Sequence, residues 1–456
     1  MNFLSNRSLF ILLFLYKYQR VYELYLIKPM ILDRTIAPPS QTIEQVSIPK
    51  AEKAILDNQV PVYMVKAGEQ PVVRLELIFE AGSRYENRIG EAYFASKMLS
   101  EGTSSHTATE ISEYFDQYGA FLEINHSVER LAITVHGLTK HLPKLLPMLQ
   151  EMIADSIIPE KELQVQKNIS SQNLKINLEK SAYVAGQVFR EQIYGTNHPY
   201  GKSLTLEAID AITREAVNDF YQKQIRGKSF RIFIAGKFDD EVVKALNQHL
   251  GQMPLQSPGH SAIIDNISEI KHPESVLVER LDNLQSSIRL GKRMFGRTHP
   301  DFFKFIVSNT IFGGYFGSRL MKNIREDKGF TYGISSGLVP QRYGGYLVMG
   351  TDVKKEYTQQ TLDEIAKEIS RLQTTPVEED EIDTAKNYMI GSLVGSLNTP
   401  FEVADRQKII LLDELPEDFY DNYIQKIRAV TPLDIIEMAN TYFKQEDLCE
   451  VVVGGK

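Results

Sequence analysis

The chain has 456 residues, of which 43% are hydrophobic and 24% charged, a balance typical of soluble globular proteins. This length exceeds what one ordinary hydrophobic core supports, so two or more domains are expected. The net charge of −8 argues against a nucleic-acid-binding protein, and the single cysteine, Cys449, excludes an internal disulfide and a cysteine-based zinc cage.

The N-terminal residues allow three interpretations. The apolar run SLFILLFLY (8–16) is too short to span a bilayer, and no small-residue cleavage site follows it. It is a weak signal or anchor, a folded helix, or an extension upstream of a true start at Met30, which we favour. We therefore treat 1–36 as an extension and expect a cytoplasmic protein. Export or membrane anchoring through residues 1–29 is the alternative, and the rest of the sequence offers no strong membrane signal.

The first half alternates strand and helix patterns. Residues 72–83, VVRLELIFEAGS, alternate apolar and charged side chains, which predicts a half-buried strand. Residues 115–127 and 130–138 predict a pair of strands, and an apolar stripe predicts a helix over 141–153. The remaining expected elements are a long helix opened by Pro159 and a strand in FRIFIAGKF, 230–238.

The second half repeats this order. Its predicted strands and helices are SSIRLGKRM (286–294), PDFFKFIVSNTIFGG (300–314), TYGISSGLV (331–339), GYLVMGTDV (345–353), TLDEIAKEISRL (361–372), a helix opened by Pro376, and CEVVVGG (449–455). Four landmark pairs recur at an offset of roughly 210–220 residues. They are Gly82 with Gly291, Gly119 with Gly329, Pro159 with Pro376, and Gly236 with Gly454.

A duplicated domain explains this repetition. The predicted fold class is α+β, with two tandem homologous domains, each a mainly antiparallel sheet packed with helices. We place the first domain at 37–252 and the second at 276–456. The stretch 253–275 is the predicted linker, because it holds two prolines and little periodicity.

Two motifs carry a resemblance to a known family. AGSRYE (81–86) followed by GEAYFASKMLSEGT (90–103) lies in the first half, and GGYFGSRLMKNIREDKGFTYGISS (313–336) lies in the second. In order and spacing they resemble the pitrilysin/insulinase family of zinc metallopeptidases, in the two-domain form typified by the mitochondrial processing peptidase. The resemblance runs from about residue 37 to the end. It implies that the chain forms half of a clam-shell chamber.

Active members of this family carry an inverted zinc motif, H-x-x-E-H, on a helix of the first domain. Two histidines four residues apart point at one zinc ion, and the glutamate activates the metal-bound water. A further carboxylate on the later long helix completes the ligands. The resemblance places the first histidine position at Tyr93, the glutamate at Ser96 and the second histidine at Lys97. The later acidic position falls within about one residue of Asn173.

All four positions have changed type. A tyrosine is protonated at neutral pH, with an ordinary pKa of about 10, and a serine cannot act as the general base. The ammonium of Lys97 would stand where a dication binds, and Asn173 brings no charge. We therefore expect no zinc, no other metal and no hydrolysis in this chain. Nothing in the sequence supports a peptidase with an unusual metal site elsewhere.

The second-domain motif is intact. IREDKGFTY holds Arg325 and Tyr332 seven residues apart, with Gly329 between them. In the family, such a pair reaches across the closed chamber to the substrate backbone or the oxyanion, and in two-chain members it can act on a partner's site. A guanidinium offers a rigid fork of donors and a phenol adds one more. The competing interpretation is an arginine in surface ion pairs and a tyrosine in the core.

The nearby glycines have two compatible interpretations. Gly313, Gly314 and Gly317 form either a flexible lip that touches substrate, as the family's regulatory subunit suggests, or a helix end and tight turn. The turn is the safer interpretation. We expect Arg319 to be structural, in an ion pair that stabilises its helix.

The resemblance and the changed motif together predict a non-catalytic subunit of a heteromeric zinc peptidase. Its partners would be a homologous subunit that carries zinc and the H-x-x-E-H motif, and an extended peptide substrate that adds to an edge strand. The alternative is a structural or peptide-binding protein with no peptidase role.

Overall fold

The structure is a computed structural model that describes residues 35, 42–256, 275–280 and 282–456. The described residues from 45 onward form one compact unit that contains two β-sheets. Its strands are β1 (Glu52–Ile55), β2 (Pro61–Lys66), β3 (Val72–Phe79), β4 (Phe121–His126), β5 (Leu131–Leu138), β6 (Phe230–Gly236), β7 (Val276–Glu279), β8 (Gln285–Met294), β9 (Thr331–Gln341), β10 (Gly344–Lys354) and β11 (Cys449–Gly454).

Helices surround these strands. They are α1 (Glu91–Met98), α2 (Ala108–Asp116), α3 (Leu142–Ala154), α4 (Glu160–Glu179), α5 (Ser181–Tyr194), α6 (Leu206–Ala211), α7 (Arg214–Gln224), α8 (Asp240–His249), α9 (Phe302–Asn309), α10 (Thr358–Thr374), α11 (Glu379–Gly395), α12 (Pro400–Leu412), α13 (Tyr423–Arg428) and α14 (Pro432–Tyr442). Short 3₁₀ turns lie at Ser83–Tyr85, Thr139–His141, Lys355–Tyr357 and Gln445–Asp447, and π-helical turns at Thr310–Gly314 and Met321–Asp327.

The two sheets share one topology. The first has the strand order β1-β2-β6-β3-β5-β4 and the second β7-β11-β8-β10-β9. The first sheet has one extra edge strand, β1, which pairs antiparallel with β2. In the five strands that the sheets share, β2 pairs in parallel with β6 and β7 with β11, and the other pairings are antiparallel. The predicted α+β fold and its duplication are confirmed, and the predicted strand pairs β4–β5 and β9–β10 are present.

Two of the four landmark pairs agree. Pro159 directly precedes α4, whereas Pro376 lies three residues before the start of α11, so these two prolines are not equivalent. Gly119 and Gly329 have φ of 59° and 67° just before β4 and β9, and Gly236 and Gly454 have φ of 130° and 141° at the ends of β6 and β11. Only glycine adopts such angles readily. The predicted equivalence of Gly82 and Gly291 is wrong. Gly291 lies inside β8, opposite Cys449, whereas Gly82 lies beyond the end of β3, because the offset changes along the chain.

One face of each sheet packs on its own helices. The predicted stripe of α3 is buried, and so is that of α10. Members of the two stripes that are at most 1% exposed are Leu142, Leu145, Leu146, Leu149, Ile153, Ile365, Ile369 and Leu372. Cys449 in β11 is fully buried, and burial raises the pKa of its thiol to about 11.

The other face of each sheet is covered by a helix from the opposite half of the chain. α5 belongs by sequence to the first half, yet its residues Ala185, Phe189 and Ile193 pack on Cys449 and Val451 of β11 in the second sheet. The hydroxyl of Tyr194 donates to the carbonyl of Gly345, at 2.9 Å. α5 therefore closes the second sheet.

α12 does the reverse. Its Leu412 packs on Ile78 and Phe233 of the first sheet. α5 and α12 occupy equivalent places in the repeat, so the exchange is reciprocal. The expectation of a half-buried β3 with one solvated face is therefore wrong, since α12 covers that face and Glu76 is only 7% exposed.

Charged residues on the covered face of β3 are paired with α12. The guanidinium of Arg74 lies 2.6 Å from Asp405 and 3.1 Å from Glu76. The ammonium of Lys408 lies 2.7 Å from Glu76 and 3.0 Å from Asp405. Because an unpaired buried charge is costly, this network fixes the position of α12 on the first sheet.

The predicted linker and N-terminal extension lie mostly outside the described residues. Of the linker, 257–274 is not described, and Met253 at its start is buried in the first core. The predicted domain boundaries stay predictions. Within the described ranges, no helix is both long enough and apolar enough to cross a membrane.

Phe189→Ala tests the helix exchange. Phe189 is 1% exposed, and its truncation leaves a cavity between α5 and the second sheet. We expect the free energy of unfolding to fall by about 3–5 kcal/mol, measured by urea denaturation. The control Phe316→Ala removes a ring that is 64% exposed and should change stability by less than about 0.5 kcal/mol. Equal small effects would contradict the packing role of α5.

Candidate functional site

The helix that carries the degenerate motif, α1, is held at its N-terminus by a carboxylate. Gly90 precedes α1 with φ of 102°. One oxygen of Glu86 accepts hydrogen bonds from the backbone N–H groups of Gly90 and Ala92, both at 3.2 Å. Phe94 and Met98, fully buried, anchor the opposite face of α1 in the first core. The positions of the motif are therefore fixed by packing and capping.

Tyr93 occupies the first histidine position and is bonded to the long helix α4. Its hydroxyl lies 3.0 Å from the hydroxyl of Ser170. Its ring meets the imidazole of His126 edge to face, with the ring centres 5.2 Å apart. The phenol therefore has a neutral hydrogen-bond partner and an aromatic neighbour, which is a stable arrangement without a metal.

Ser96 and Lys97 cannot take over the roles of the glutamate and the second histidine. Ser96 is buried, and its hydroxyl donates to the carbonyl of Tyr93 at 2.7 Å. Lys97 is exposed, and its ammonium lies 5.8 Å from the centre of the Tyr93 ring. Burial, and secondly the charge of Lys97, lower the pKa of His126. At this site the positive charge is the ammonium of Lys97, a part of the protein itself.

α4 contributes Ser170, which the sequence did not identify. Asn173, predicted within about one residue of the acidic ligand position, is exposed one helical turn further on. Ser170 lies three residues before Asn173 and therefore on a neighbouring part of the same helix face. This spacing is the one sequence signal that could have identified Ser170. Among the described residues, no three His, Cys, Asp or Glu side chains lie together in a way that could hold a metal ion.

Arg325 lies in the π-helical turn Met321–Asp327. Its guanidinium stacks 4.5 Å from the centre of the Phe316 ring, and the nearest carboxylate, Glu326, is 4.0 Å away. The predicted surface ion pair with Glu326 is therefore present, although an exposed pair at that distance contributes little to stability. The expectation for Arg319 is confirmed, since it binds Glu381 through two hydrogen bonds of 2.8 Å.

Tyr332 is the most exposed of the large hydrophobic side chains described, at 96%. It stands at the start of β9, after the turn at Gly329. The competing interpretation as a core tyrosine is therefore wrong. Among the described residues, no hydrogen bond joins Tyr332 to Arg325.

The glycines near Arg325 serve packing. A Cβ atom at Gly313 would lie 2.7 Å from the side chain of Ser336, and one at Gly317 would lie 2.8 Å from the Tyr315 ring. Gly313 and Gly314 belong to the π-helical turn Thr310–Gly314. These contacts support the interpretation as a tight turn. Phe316, which the sequence did not single out, follows as an exposed ring between glycines.

Glu86→Gln should change how stability depends on pH. Burial raises the pKa of the Glu86 carboxyl to about 7, although the N–H groups of Ala92 and Gly90 lower it. The native state therefore binds a proton more tightly than the unfolded state, whose carboxyl has a pKa of about 4.3. This contribution to stability is complete below about pH 4.3 and is lost as the pH rises to 7.

We expect the wild type to lose about 1–3 kcal/mol more than Glu86→Gln between pH 4.5 and 7.5, because glutamine keeps the acceptor without the charge. Urea denaturation of both proteins across this range measures the difference. A constant difference between the two curves would contradict the assignment.

Restoration of the four motif positions tests the resemblance directly. The variant Tyr93→His, Ser96→Glu, Lys97→His and Asn173→Glu should bind one zinc ion per chain, measured by plasma mass spectrometry after dialysis. The wild type should bind none. A control that keeps Lys97 and carries the other three changes should bind at least about tenfold more weakly, because the ammonium repels the ion. Stoichiometric zinc in the wild type would contradict the whole interpretation of this site.

Two family profiles match the chain. The profile "Insulinase (Peptidase family M16)" matches residues 62–202, and "Peptidase M16 inactive domain" matches residues 211–389. The first covers α1 and α4, and the second covers Arg325 and Tyr332.

Curated relatives are distant but extensive. An uncharacterized zinc protease, YmxG, of Bacillus subtilis is 25% identical over 70% of this chain and 77% of its own length. A protein of Helicobacter pylori named "Non-peptidase homolog YmxG" is 22% identical over 87% of this chain and 92% of its own length.

Solved structures share the fold. A peptidase M16 inactive domain protein from Pseudomonas fluorescens has a TM-score of 0.77 and 21% identity, covering 89% of this chain and 98% of that one. A Helicobacter pylori protease has a TM-score of 0.80 and 17% identity, covering 90% of this chain and 100% of that one. The chain belongs to the M16 (insulinase) peptidase family, with Tyr93, Ser96 and Lys97 at the positions where the resemblance places the zinc motif.

Proposed function

We propose that this chain is the metal-free subunit of a heteromeric zinc peptidase. It pairs with a homologous subunit that carries zinc on an intact H-x-x-E-H motif, and it supplies half of the chamber wall. Arg325 and Tyr332 face the partner's active site and contact an extended peptide substrate there. Zinc is the partner's cofactor, and the complex works in the cytoplasm.

The observation that carries this proposal is the contrast between the two motifs. Tyr93, Ser96 and Lys97 are occupied with one another and with Ser170, which leaves no ligand set for zinc. Arg325 and Tyr332 are intact. A fully exposed phenol and a guanidinium without a close carboxylate are typical of side chains whose partner is another molecule.

Phe316 strengthens the case. Its ring holds the guanidinium of Arg325 at 4.5 Å, so the arginine is oriented before any substrate arrives. A pre-oriented donor loses less conformational entropy when it binds a carbonyl or an oxyanion. The rigid turns around Gly313 and Gly317 support the same arrangement.

A second candidate function is a structural or peptide-binding role without proteolysis. A chain of the structure titled "Complex III2 from Candida albicans, Inz-5 bound" has a TM-score of 0.70 and 16% identity to this chain, covering 89% of it. The Helicobacter pylori relative named a non-peptidase homolog is also compatible with this alternative.

The two candidates predict different results for the assembled complex. The tagged chain is purified from its native cells, and peptide cleavage is measured on the complex and on the chain alone. We expect cleavage by the complex only. In the complex, Arg325→Ala and Tyr332→Phe should each lower kcat/KM by about 10²–10³-fold, as the loss of one oxyanion donor does.

Matched controls separate this effect from misfolding. Arg226→Ala removes a half-exposed arginine paired with Asp155, and Tyr388→Phe alters a tyrosine that is 48% exposed. Both should leave kcat/KM within about twofold, because neither belongs to the motif. Full activity of the Arg325→Ala and Tyr332→Phe complexes would refute the proposal, and a complex without a zinc-bearing homologue would favour the structural role.

A further inference from the structure

The two sheets can be compared row by row across their strands. In the first sheet, Thr134 of β5 lies between Glu123 of β4 and Glu76 of β3. The equivalent row of the second sheet runs from Ser335 of β9 through Gly350 of β10 to Arg289 of β8. Both rows lie on the face that the exchanged helix covers. The second row carries two small residues and an arginine.

The neighbouring rows of the second sheet also carry smaller side chains than the equivalent rows of the first sheet. In the next row, Asn125 of β4 corresponds to Gly337 of β9, and Arg74 of β3 corresponds to Ser287 of β8 in the row on the other side.

The exchanged helices show the same difference, since α5 carries smaller side chains than α12 at the equivalent positions. Phe401 and Asp405 of α12 fill the face of the first sheet, where both contact Arg74. An offset of 219 residues, which aligns Pro400 with Ser181 as the first residues of the two helices, places Ala182 and Gly186 of α5 at their positions.

The result is an open trough, which we name the β9–β10 trough. A cavity of about 350 Å³ lies over Gly333, Ser335, Gly337 and Gly350, beside Arg289. It adjoins a cavity of about 1520 Å³, since Asp352 lines both. Lys180 and Ser181, at the start of α5, line the larger cavity.

Arg289 is poorly neutralised at the floor of this trough. Its side chain is 20% exposed, and its nearest carboxylate, Asp352, is 3.9 Å away and 48% exposed. Its hydrogen bonds go to backbone carbonyls, those of Ile288 at 2.7 Å and Ala182 at 3.5 Å. Its counterpart Glu76 has two cations within 3.1 Å. Burial lowers the pKa of Arg289, and the charge of Asp352 partly offsets this effect.

The start of α5 lacks the side-chain cap that the start of α12 has. α12 begins with a capping box, in which Thr399 and Glu402 bond each other's backbone N–H groups. α5 begins after Lys180, and among the described residues no side chain caps it. The first N–H groups of a helix bind anions well when no side chain occupies them.

We propose that the β9–β10 trough binds an extended peptide segment through a carboxylate that pairs with Arg289 near the open N-terminus of α5. The carboxylate is the C-terminus of the peptide or an acidic side chain. The proposal rests on the proposed function only in choosing a peptide as the ligand, and it concerns a surface other than Arg325.

A peptide fits this trough better than a small molecule. The two cavities together exceed the roughly 300–1,000 Å³ of typical small-molecule sites, and both are open. Glycines on the floor let a second backbone approach closely, and β9 is the edge strand of its sheet. An arginine fork suits a carboxylate that arrives along such a strand.

Substitution of a glycine on the floor of the β9–β10 trough can block the trough. A Cβ atom at Gly337 would meet no atom within 4 Å, and φ at this residue is not positive. Gly337→Val therefore fills the trough without a clash inside the chain. Gly391 in α11 is also free of contacts and exposed, so Gly391→Val is the matched control.

The experiment measures fluorescence anisotropy with the purified chain alone. The probes are three peptides of about ten residues, built from Ala, Ser and Thr and carrying a neutral BODIPY label at the N-terminus. One ends in a free carboxylate, one is its C-terminal amide, and one is the amide with a single glutamate. We expect at least one carboxylate-bearing peptide to bind about tenfold more tightly than the plain amide.

Arg289→Met and Gly337→Val should each weaken that binding at least about tenfold, while Gly391→Val should not. Preference for the free acid alone identifies a C-terminal carboxylate, and binding of the glutamate peptide identifies an acidic side chain. No saturable binding, equal binding of all three peptides, or unchanged binding by Gly337→Val would overturn the proposal. Because the partner is absent, failure here leaves the test of Arg325 and Tyr332 unaffected.

Discussion

The reciprocal exchange of α5 and α12 is the constraint on which the rest of this structure depends. It covers the second face of both sheets, so every charged side chain on those faces must find a partner or remain costly. The first sheet meets this demand with Arg74 of β3 and with Asp405 and Lys408 of α12, which surround Glu76. The second half has lost the equivalent side chains and keeps Arg289 beside an open trough. The two sheets thus share one arrangement of strands and covering helix, but side chains fill this face in the first sheet and leave it open in the second.

The local sequence pattern predicted the main strands and helices, but it did not predict which of their faces are buried. Period-two alternation and the stripes of α3 and α10 located the main strands and helices, and their repetition indicated the duplication. The covering of β3 could not be predicted, because its partner α12 lies far along the chain, with 331 positions between Arg74 and Asp405. β1, β2 and β7 were not identified, and the four residues each of β1 and β7 are too few to show a period.

The residues of the candidate site were likewise only partly predictable from the sequence. A motif frame was enough to find the changed positions Tyr93, Ser96 and Lys97, because spacing survives when residue types change. Ser170 and Phe316 were missed, since their importance comes from contacts made in three dimensions. The exposure of Tyr332 also lies beyond sequence pattern, which cannot distinguish a tyrosine at the start of a strand from one in the core. Burial and contact geometry separated the competing interpretations.

The helix exchange also has a consequence for how such a chain could arise. Neither half can bury its second sheet face with its own residues, so a fragment cut at the linker would expose Phe233 or Val451. Two copies of one half, however, could cover each other by the same exchange. A swapped homodimer of a single ancestral domain is thus a sufficient precursor, and gene fusion would convert it into one chain without altering its packing. After fusion, each copy could diverge at a position that symmetry had previously kept identical.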